Sequence, residues 1–187
     1  MWTYRWGDTY TSAQFYKLIH LHIKVADVYK WLWKSSCIMK TKMFAWLLLS
    51  DRLNTRDLLQ RRHWKVTDDT HCVLCPTRSY EDRSHLFFEC NFSARIWNYL
   101  QIPWQSGSNI QSVMAHAKSS FNKPFFMEVV ITACYNIWLL RNGKISEGEK
   151  PSFARWKCKF IHDLTLLQCR IKVKHKDQLL AWIDALP

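Results

Sequence analysis

The amino-acid sequence predicts a mainly α-helical protein, in which a helical domain with a small Cys-Cys-His-Cys loop precedes a C-terminal helical segment. Apolar residues recur at the spacing of a helix face in most segments, and residues that favour helix ends bound these segments. Only 4 Gly and 5 Pro occur among 187 residues, which argues against a loop-rich fold. Hydrophobic residues make up 48% of the chain, so a packed core is expected.

Before the loop, helices are predicted over residues 11–22, 37–51 and 56–63. Thr11 or Ser12 can cap the first helix, because a hydroxyl at that position accepts a hydrogen bond from a free backbone N–H. The second helix is apolar nearly all round, which is typical of a buried helix. Asn54 or Thr55 can cap the third, and the arginines near its C-terminus interact favourably with the helix dipole.

Further helices are predicted over residues 84–100, 125–140, 152–174 and 178–186. Ser84 and Ser152 are suitable N-caps for the first and third of these. Pro103 ends the first, because a proline disfavours helical backbone in the residue before it. Asn142-Gly143 is expected to stop the second, since glycine is common just beyond a helix end.

The predicted domain organisation follows from a polar stretch at residues 105–123, rich in Ser, Gln and Asn, which we expect to be a linker. It separates a helical domain over residues 1–104, with its loop at 72–90, from a partly basic helical segment over residues 124–187. The sequence has no signal peptide and no apolar stretch long enough to span a bilayer, so we expect no membrane contact and a location in the nucleus or cytoplasm. Seven cysteines, an odd number, indicate a reducing compartment and a metal rather than disulfides. Four of them lie on apolar or helical faces and are predicted to be small core residues, namely Cys37, Cys134, Cys158 and Cys169.

The loop contains the pattern C-x2-C-x9-H-x4-C, formed by Cys72, Cys75, His85 and Cys90. Two cysteines two residues apart can bind one metal ion from a tight turn, and the second pair completes a tetrahedral Zn²⁺ site. Because protein side chains fill all four positions, such a zinc would be structural. The alternative is a redox pair at Cys72 and Cys75, but no strand pattern precedes them. His71 is a competing ligand, although its position next to Cys72 would strain the chelate.

The charge of the chain points to a polyanionic partner. Lys and Arg number 27 against 15 Asp and Glu, a net charge of +12, and RNA or DNA is the commonest partner of such a protein. The loop itself is mildly acidic, so we expect the contacts on the basic segments beside it. The candidate nucleic-acid-binding residues are Arg52, Arg56, Arg61, Arg62, Lys65, Arg155, Lys157, Lys159, Arg170, Lys172, Lys174 and Lys176. For each of them, a solvated helix face is the alternative interpretation.

Longer motifs accompany the four loop residues, namely Trp31-Leu-Trp-Lys, Lys42-Met-Phe-Ala-Trp-Leu-Leu-Leu-Ser-Asp-Arg-Leu-Asn-Thr-Arg, Cys72-Val-Leu-Cys75 and His85-Leu-Phe-Phe-Glu-Cys90. Over about residues 6–104 the chain resembles the zinc-binding domain that follows reverse transcriptase in plant LINE-type non-LTR retrotransposons. The resemblance implies that Cys72, Cys75, His85 and Cys90 bind zinc. It also implies a role in binding nucleic acid beside the polymerase.

Several functions are consistent with this sequence. Motifs of a polymerase or a ribonuclease H are absent, so we expect a non-catalytic module derived from a retrotransposon polyprotein. The alternative is a protein-interaction or scaffold domain that packs on a reverse transcriptase or another protein. Its candidate contacts are Trp2, Trp6, Trp104 and Trp182. A domesticated regulatory protein is a third possibility.

Overall fold

The computed structural model describes residues 11–20, 24–64, 69–104 and 109–187. Within these ranges the chain is mainly helical and contains no strand, which confirms the predicted fold class. A five-residue π-helical turn, His85–Glu89, lies between the fourth and fifth helices. The helices are α1 (Ser12–His20), α2 (Asp27–Lys34), α3 (Met39–Leu49), α4 (Arg56–Arg61), α5 (Asn91–Tyr99), α6 (Ile110–Phe121), α7 (Phe126–Glu147), α8 (Phe153–Leu167) and α9 (Val173–Asp184).

Helix α7 forms the centre of the core. Its residues Val129 and Ile137 are 0% exposed, and it packs against both α3 and α8. A helix with apolar residues on most of its surface needs neighbours on several sides, and α3 and α8 cover two sides of α7. The prediction that this helix stops at Asn142-Gly143 is wrong. It continues to Glu147 and ends at Gly148, which adopts the left-handed conformation with φ 69°.

Helix α6 lies in the stretch that was expected to be a linker, residues 105–123. Its N-cap, Asn109, accepts a hydrogen bond from the backbone N–H of Gln111 at 2.9 Å. Met114, Ala117 and Phe121 are buried on one face, and the helix packs against α2. The linker is therefore partly helical and contributes to the core. The domain boundaries themselves remain a prediction.

Helix α8 is shorter than the helix predicted over residues 152–174, and α9 begins at Val173 rather than at the predicted residue 178. Ser152 caps α8 as expected, its hydroxyl accepting from the N–H of Arg155 at 3.3 Å. The helix ends at Leu167, whose carbonyl accepts from the N–H groups of Arg170 and Ile171. Ile171 is buried at this break, so the chain turns there to place an apolar side chain in the core. Across the described ranges, no helix has the length and apolar character that crossing a membrane requires.

Three of the four helices described before the loop lie where the sequence predicts a helix, whereas α2 was not predicted. Thr55 caps α4 through its hydroxyl, which accepts from the N–H of Leu58 at 3.3 Å. Helix α3 is buried only on the side that carries Phe44, Leu48 and Leu49. Met39 on the other side is 64% exposed, so the prediction that this helix is buried all round is wrong. The first helix begins at Ser12, and the end predicted at residue 22 lies outside the described residues.

Candidate metal centre

A short antiparallel bridge between His71 and Tyr80 closes the loop that carries the first cysteine pair. The N–H of Cys72 donates to the carbonyl of Ser79 at 2.8 Å, and that of Glu81 donates to the carbonyl of Thr70 at 2.9 Å. These two bonds fix both ends of the loop, so Cys72 and Cys75 are held in one tight turn.

The second pair, His85 and Cys90, is placed by the π-helical turn. The Asp82 carboxylate accepts from the N–H of His85 at 2.7 Å at the start of the turn. The N–H of Cys90 donates to the carbonyl of His85 at 2.7 Å, a five-residue hydrogen bond that brings the two residues together. The continuous helix predicted from Ser84 is therefore wrong. It is interrupted at Cys90, whose backbone is extended at φ −56° and ψ 135°.

Two side chains satisfy carbonyl groups beside this interruption. The Ser93 hydroxyl donates to the carbonyl of Leu86 at 2.6 Å, and the indole N–H of Trp97 donates to that of Phe87 at 2.7 Å. Both donors are buried and lie on the inner face of α5. Because buried carbonyl groups need partners, these bonds stabilise the interrupted backbone that aims Cys90 at the loop.

The structure brings the four predicted ligands together. Their ligand atoms all lie within 4.8 Å of one another. The sulfurs of Cys72 and Cys90 are 3.9 Å apart, and the sulfur of Cys75 is 3.4 Å from Nε2 of His85. Around a tetrahedral zinc the corresponding separations are about 3.8 Å for two sulfurs and about 3.5 Å for sulfur and nitrogen. The donor set and its spacing therefore fit zinc. His71 lies outside the cluster and contacts Asp69 through Nδ1.

The surroundings of the cluster suit thiolate ligands. Cys72, Cys75 and Cys90 are all less than 8% exposed. A hydrogen bond from the Cys72 thiol lowers the pKa of Cys90, and the backbone N–H groups of Phe92 and Ser93 act in the same direction. The pKa of Cys72 is raised, first by this bond and then by burial. A zinc ion would replace the shared proton and stabilise both sulfurs as thiolates.

The hydroxyl of Thr77 donates to the sulfur of Cys75 at 3.2 Å. We expect Thr77→Val, which keeps the side-chain shape and removes this donor, to lower zinc affinity by about 10-fold or more. Competition with a chromophoric chelator measures this. Thr165→Val is the control, because the Thr165 hydroxyl donates to the carbonyl of Ile161 in α8. Equal zinc affinity in the two variants would contradict the role of the Thr77 hydroxyl.

A buried ion pair that the sequence analysis missed ties the loop to the rest of the fold. The Glu81 carboxylate is 0% exposed and forms an ion pair with Arg141 on α7, whose Nη2 donates a hydrogen bond to it at 2.6 Å. The same carboxylate accepts a hydrogen bond from the backbone N–H of Arg56 at 3.1 Å. The backbone carbonyl of Glu81 accepts a second one from the N–H of Asp57 at 3.1 Å. Glu81 therefore caps α4 while pairing with α7. The local signal for this pair was Arg141 itself, an arginine that directly follows the apolar stretch of α7.

The basic residues predicted around α4 are mostly engaged within the protein. Arg56 contacts the Asp69 carboxylate at 3.1 Å and the His71 carbonyl at 2.9 Å. Arg61 pairs with Asp57 at 2.6 Å and Asp51 at 3.0 Å. These ion pairs neutralise part of the positive charge that was predicted to contact nucleic acid beside the loop.

Two other predicted contacts near α4 are exposed. Arg52 lies over the ring of Trp46, and Arg62 contacts the Asn54 side chain at 3.4 Å. Lys65 lies outside the described residues.

The second predicted basic surface divides into engaged and unpaired residues. Arg155 pairs with Glu149, Lys159 pairs with Asp163, and Lys157 lies over the ring of Tyr99. Towards α9 the side chains are exposed or half-exposed, and in the described chain they have no carboxylate partner. These residues are Arg170, Lys172, Lys174 and Lys176. Of these, Arg170 donates a hydrogen bond from Nε to the carbonyl of Ser36 at 3.1 Å.

The other candidate residues have different environments. Burial raises the pKa of the Cys37 thiol to about 12 and also that of Cys134, so both are inert core cysteines, as predicted. Cys158 and Cys169 are exposed, which contradicts the prediction that they are core residues.

The tryptophans proposed as partner contacts are half-buried where they are described. Trp104 packs on Phe88 and Trp97, and Trp182 packs on Phe121 and Phe125. Trp2 and Trp6 lie outside the described residues.

Comparison with protein families gives one match. Residues 10–97 match the model of the family described as zinc-binding in reverse transcriptase. The match lies inside the region whose motifs suggested this family, and it confirms the resemblance to a zinc-binding domain of reverse transcriptase. It contains all four clustered residues, and the model describes a zinc-binding domain rather than a catalytic one. No curated protein and no solved structure is significantly similar to the chain.

Proposed function

We propose that this chain, whose residues 10–97 match a zinc-binding domain of reverse transcriptase, is a non-catalytic zinc module that binds RNA or DNA. The observation that carries the proposal is the Cys72, Cys75, His85 and Cys90 cluster, which lies entirely within the matched residues. We attribute the chain to a LINE-type retrotransposon polyprotein of a plant, or to a gene descended from one, because the longer motifs resemble that group. A reverse transcriptase is the protein partner expected on the same ground.

A structural role for zinc is supported by the closed ligand set. Four protein ligands leave no open position for water, so the metal would activate no nucleophile. The ion would instead join the loop after α4 to the π-helical turn before α5. The free cysteines of the described chain are in keeping with a reducing compartment, and we propose the nucleus or cytoplasm.

Unpaired cations support nucleic acid as the partner. Within the described ranges, six of the predicted contacts form no ion pair, and they are Arg52, Arg62, Arg170, Lys172, Lys174 and Lys176. Lysine and arginine side chains that are exposed and not neutralised can release counterions from phosphates. The resulting affinity depends little on the nucleotide sequence and falls as the salt concentration rises.

We expect labelled RNA and duplex DNA to bind the zinc-loaded protein with affinities that fall steeply between about 50 and 200 mM salt. In Lys172→Gln/Lys174→Gln, the slope of log affinity against log salt should become shallower by about 0.9 per lost contact on duplex DNA. Fluorescence anisotropy titrations measure both effects. Arg155→Gln is the control, since Arg155 already pairs with Glu149. Salt-independent binding, or no binding to either nucleic acid, would contradict the proposal.

A protein-interaction domain remains a second candidate, because apolar side chains are exposed on two helices. Helix α1 has no buried residue, and its Tyr16 and Ile19 are 66% and 53% exposed. Met39 on α3 is 64% exposed. Exposed apolar residues of this kind can mark a contact with another protein. Self-association that persists at high salt without nucleic-acid binding, measured by sedimentation, would favour this candidate.

A further inference from the structure

We infer that the groove between α2 and α3 binds the bases of a single-stranded nucleic acid. This inference rests on the proposed function and specifies the form of nucleic acid that the protein recognises. Three aromatic residues line the groove, namely Tyr29 and Trp33 on α2 and Trp46 on α3. Its volume of about 530 Å³ is within the usual range of small-ligand pockets, so a nucleobase has room to enter.

The packing of α2 fixes the direction of these rings. Val28 and Leu32 are buried against the core at 2% and 0% exposure. Tyr29 and Trp33 follow them by one residue each and are four residues apart, so they share the adjacent face of the helix. The Tyr29 hydroxyl lies 3.4 Å from the Ser50 hydroxyl just after α3, which links the two walls of the groove.

The ring faces are available for stacking. Trp33 is 44% exposed, and among the described residues no other aromatic ring stacks on it or on Tyr29. The ammonium group of Lys42 donates to the carbonyl of Trp33 at 3.0 Å and holds the end of α2 in place. An aromatic face that is exposed and rigidly mounted is the platform on which unpaired bases stack.

The charges around the groove complement a phosphate backbone. Lys30 and Lys34 line it, and the guanidinium of Arg52 lies 5.6 Å from the centre of the Trp46 ring. Lys30 pairs with Asp27 at 2.8 Å, whereas Lys34 and Arg52 have no carboxylate partner in the described chain. The surface therefore combines aromatic faces with unneutralised positive charge, the combination found in channels that bind single strands.

The geometry favours a single strand over a duplex. In a duplex the base faces are stacked on one another, and only their edges are accessible in the grooves. Aromatic faces inside a concave surface can be reached only by a base that has left such a stack. A second copy of the chain is the competing occupant, because Trp33 also offers apolar area.

The test compares a labelled single-stranded RNA of about ten nucleotides with a hairpin duplex of related sequence, titrated into the zinc-loaded full chain. We expect Trp33→Ala to weaken single-strand binding by about 5- to 100-fold and to leave the salt slope and duplex binding unchanged. Trp33→Phe, which keeps a ring face, should retain most of the affinity. Thermal melts verify that each variant is folded.

Trp64→Ala is the matched control, because Trp64 is 61% exposed and lies outside the groove. We expect wild-type single-strand affinity for this variant. Equal losses of single-strand affinity in Trp33→Ala and Trp64→Ala would overturn the proposal that bases bind in the groove. Unchanged single-strand affinity in Trp33→Ala would overturn it as well. In either case the salt-dependent affinity of the proposed function would stand. No nucleic-acid binding by the wild-type protein would overturn both proposals. Self-association that Trp33→Ala abolishes would assign the groove to a second copy.

Discussion

Removal of zinc is expected to unfold the loop over residues 72–90 and to lower the melting temperature of the whole chain steeply. The three clustered cysteines are buried, and a zinc ion bound to them would join the loop to the π-helical turn, so its removal would leave these two segments without that link. Structural zinc contributes about 10–16 kcal/mol of apparent binding free energy in finger peptides. Because Leu74, Leu86 and Phe87 belong to the same core as α3 and α7, the loss should spread beyond the loop.

Elemental analysis should find one zinc per chain, and a chelator should shift the circular-dichroism melt to much lower temperature. Cys90→Ser should reproduce this shift because it removes one of the four ligands. Cys158→Ser is the matched control, since Cys158 is exposed on α8 and lies outside the cluster. A metal-free protein with an unchanged melt would remove the basis of the proposed zinc centre.

Replacing Arg141 by alanine is expected to cost about 3–5 kcal/mol in the free energy of unfolding, because it leaves the buried Glu81 carboxylate without its cation. The guanidinium also lies 4.8 Å from the centre of the Trp138 ring, a contact that the variant loses as well. Urea denaturation of the zinc-loaded protein measures the cost. Glu81→Gln should be milder than Glu81→Ala, since the amide oxygen can still accept from the N–H of Arg56.

The matched control for this prediction is Arg155→Ala, whose ion pair with Glu149 is at the surface. Surface pairs contribute at most about 1 kcal/mol, so this variant should be nearly neutral. A double variant of Glu81 and Arg141 should lose less than the sum of the single losses, because it leaves no unpaired charge. If Arg141→Ala were as mild as Arg155→Ala, the buried pair would not be what joins the loop to α7.

The features that depend on local chemistry could be predicted from the sequence. Thr55 and Ser152 cap their helices with the hydrogen bonds expected of hydroxyl side chains. The four clustered residues were predicted from spacing, because a tetrahedral site with ligands within a short segment restricts the number of residues between them. The apolar character of residues 37–51 likewise indicated a helix that packs in the core, although only one side of α3 is buried.

The features that depend on distant contacts could not be predicted. Helix α6 lies among Ser, Gln and Asn residues, and its packing on α2 shows which of its faces, that of Met114, Ala117 and Phe121, is buried. Arg56 and Arg61 were predicted to contact phosphates on the basis of their charge alone. Their ion pairs with Asp69 and Asp51 join residues distant in sequence and are visible only in the folded chain. Sequence spacing indicates which residues are charged, whereas tertiary structure decides which charges remain available.

The pairing of Glu81 with Arg141 has a consequence for how this domain can be inherited. The family match ends at residue 97, on α5, whereas Arg141 lies well beyond it on α7. Recombination that transferred only residues 10–97 would carry a buried carboxylate into a new protein and leave its cation behind. The unit that must fold together to neutralise Glu81 therefore extends beyond the segment that matches the family.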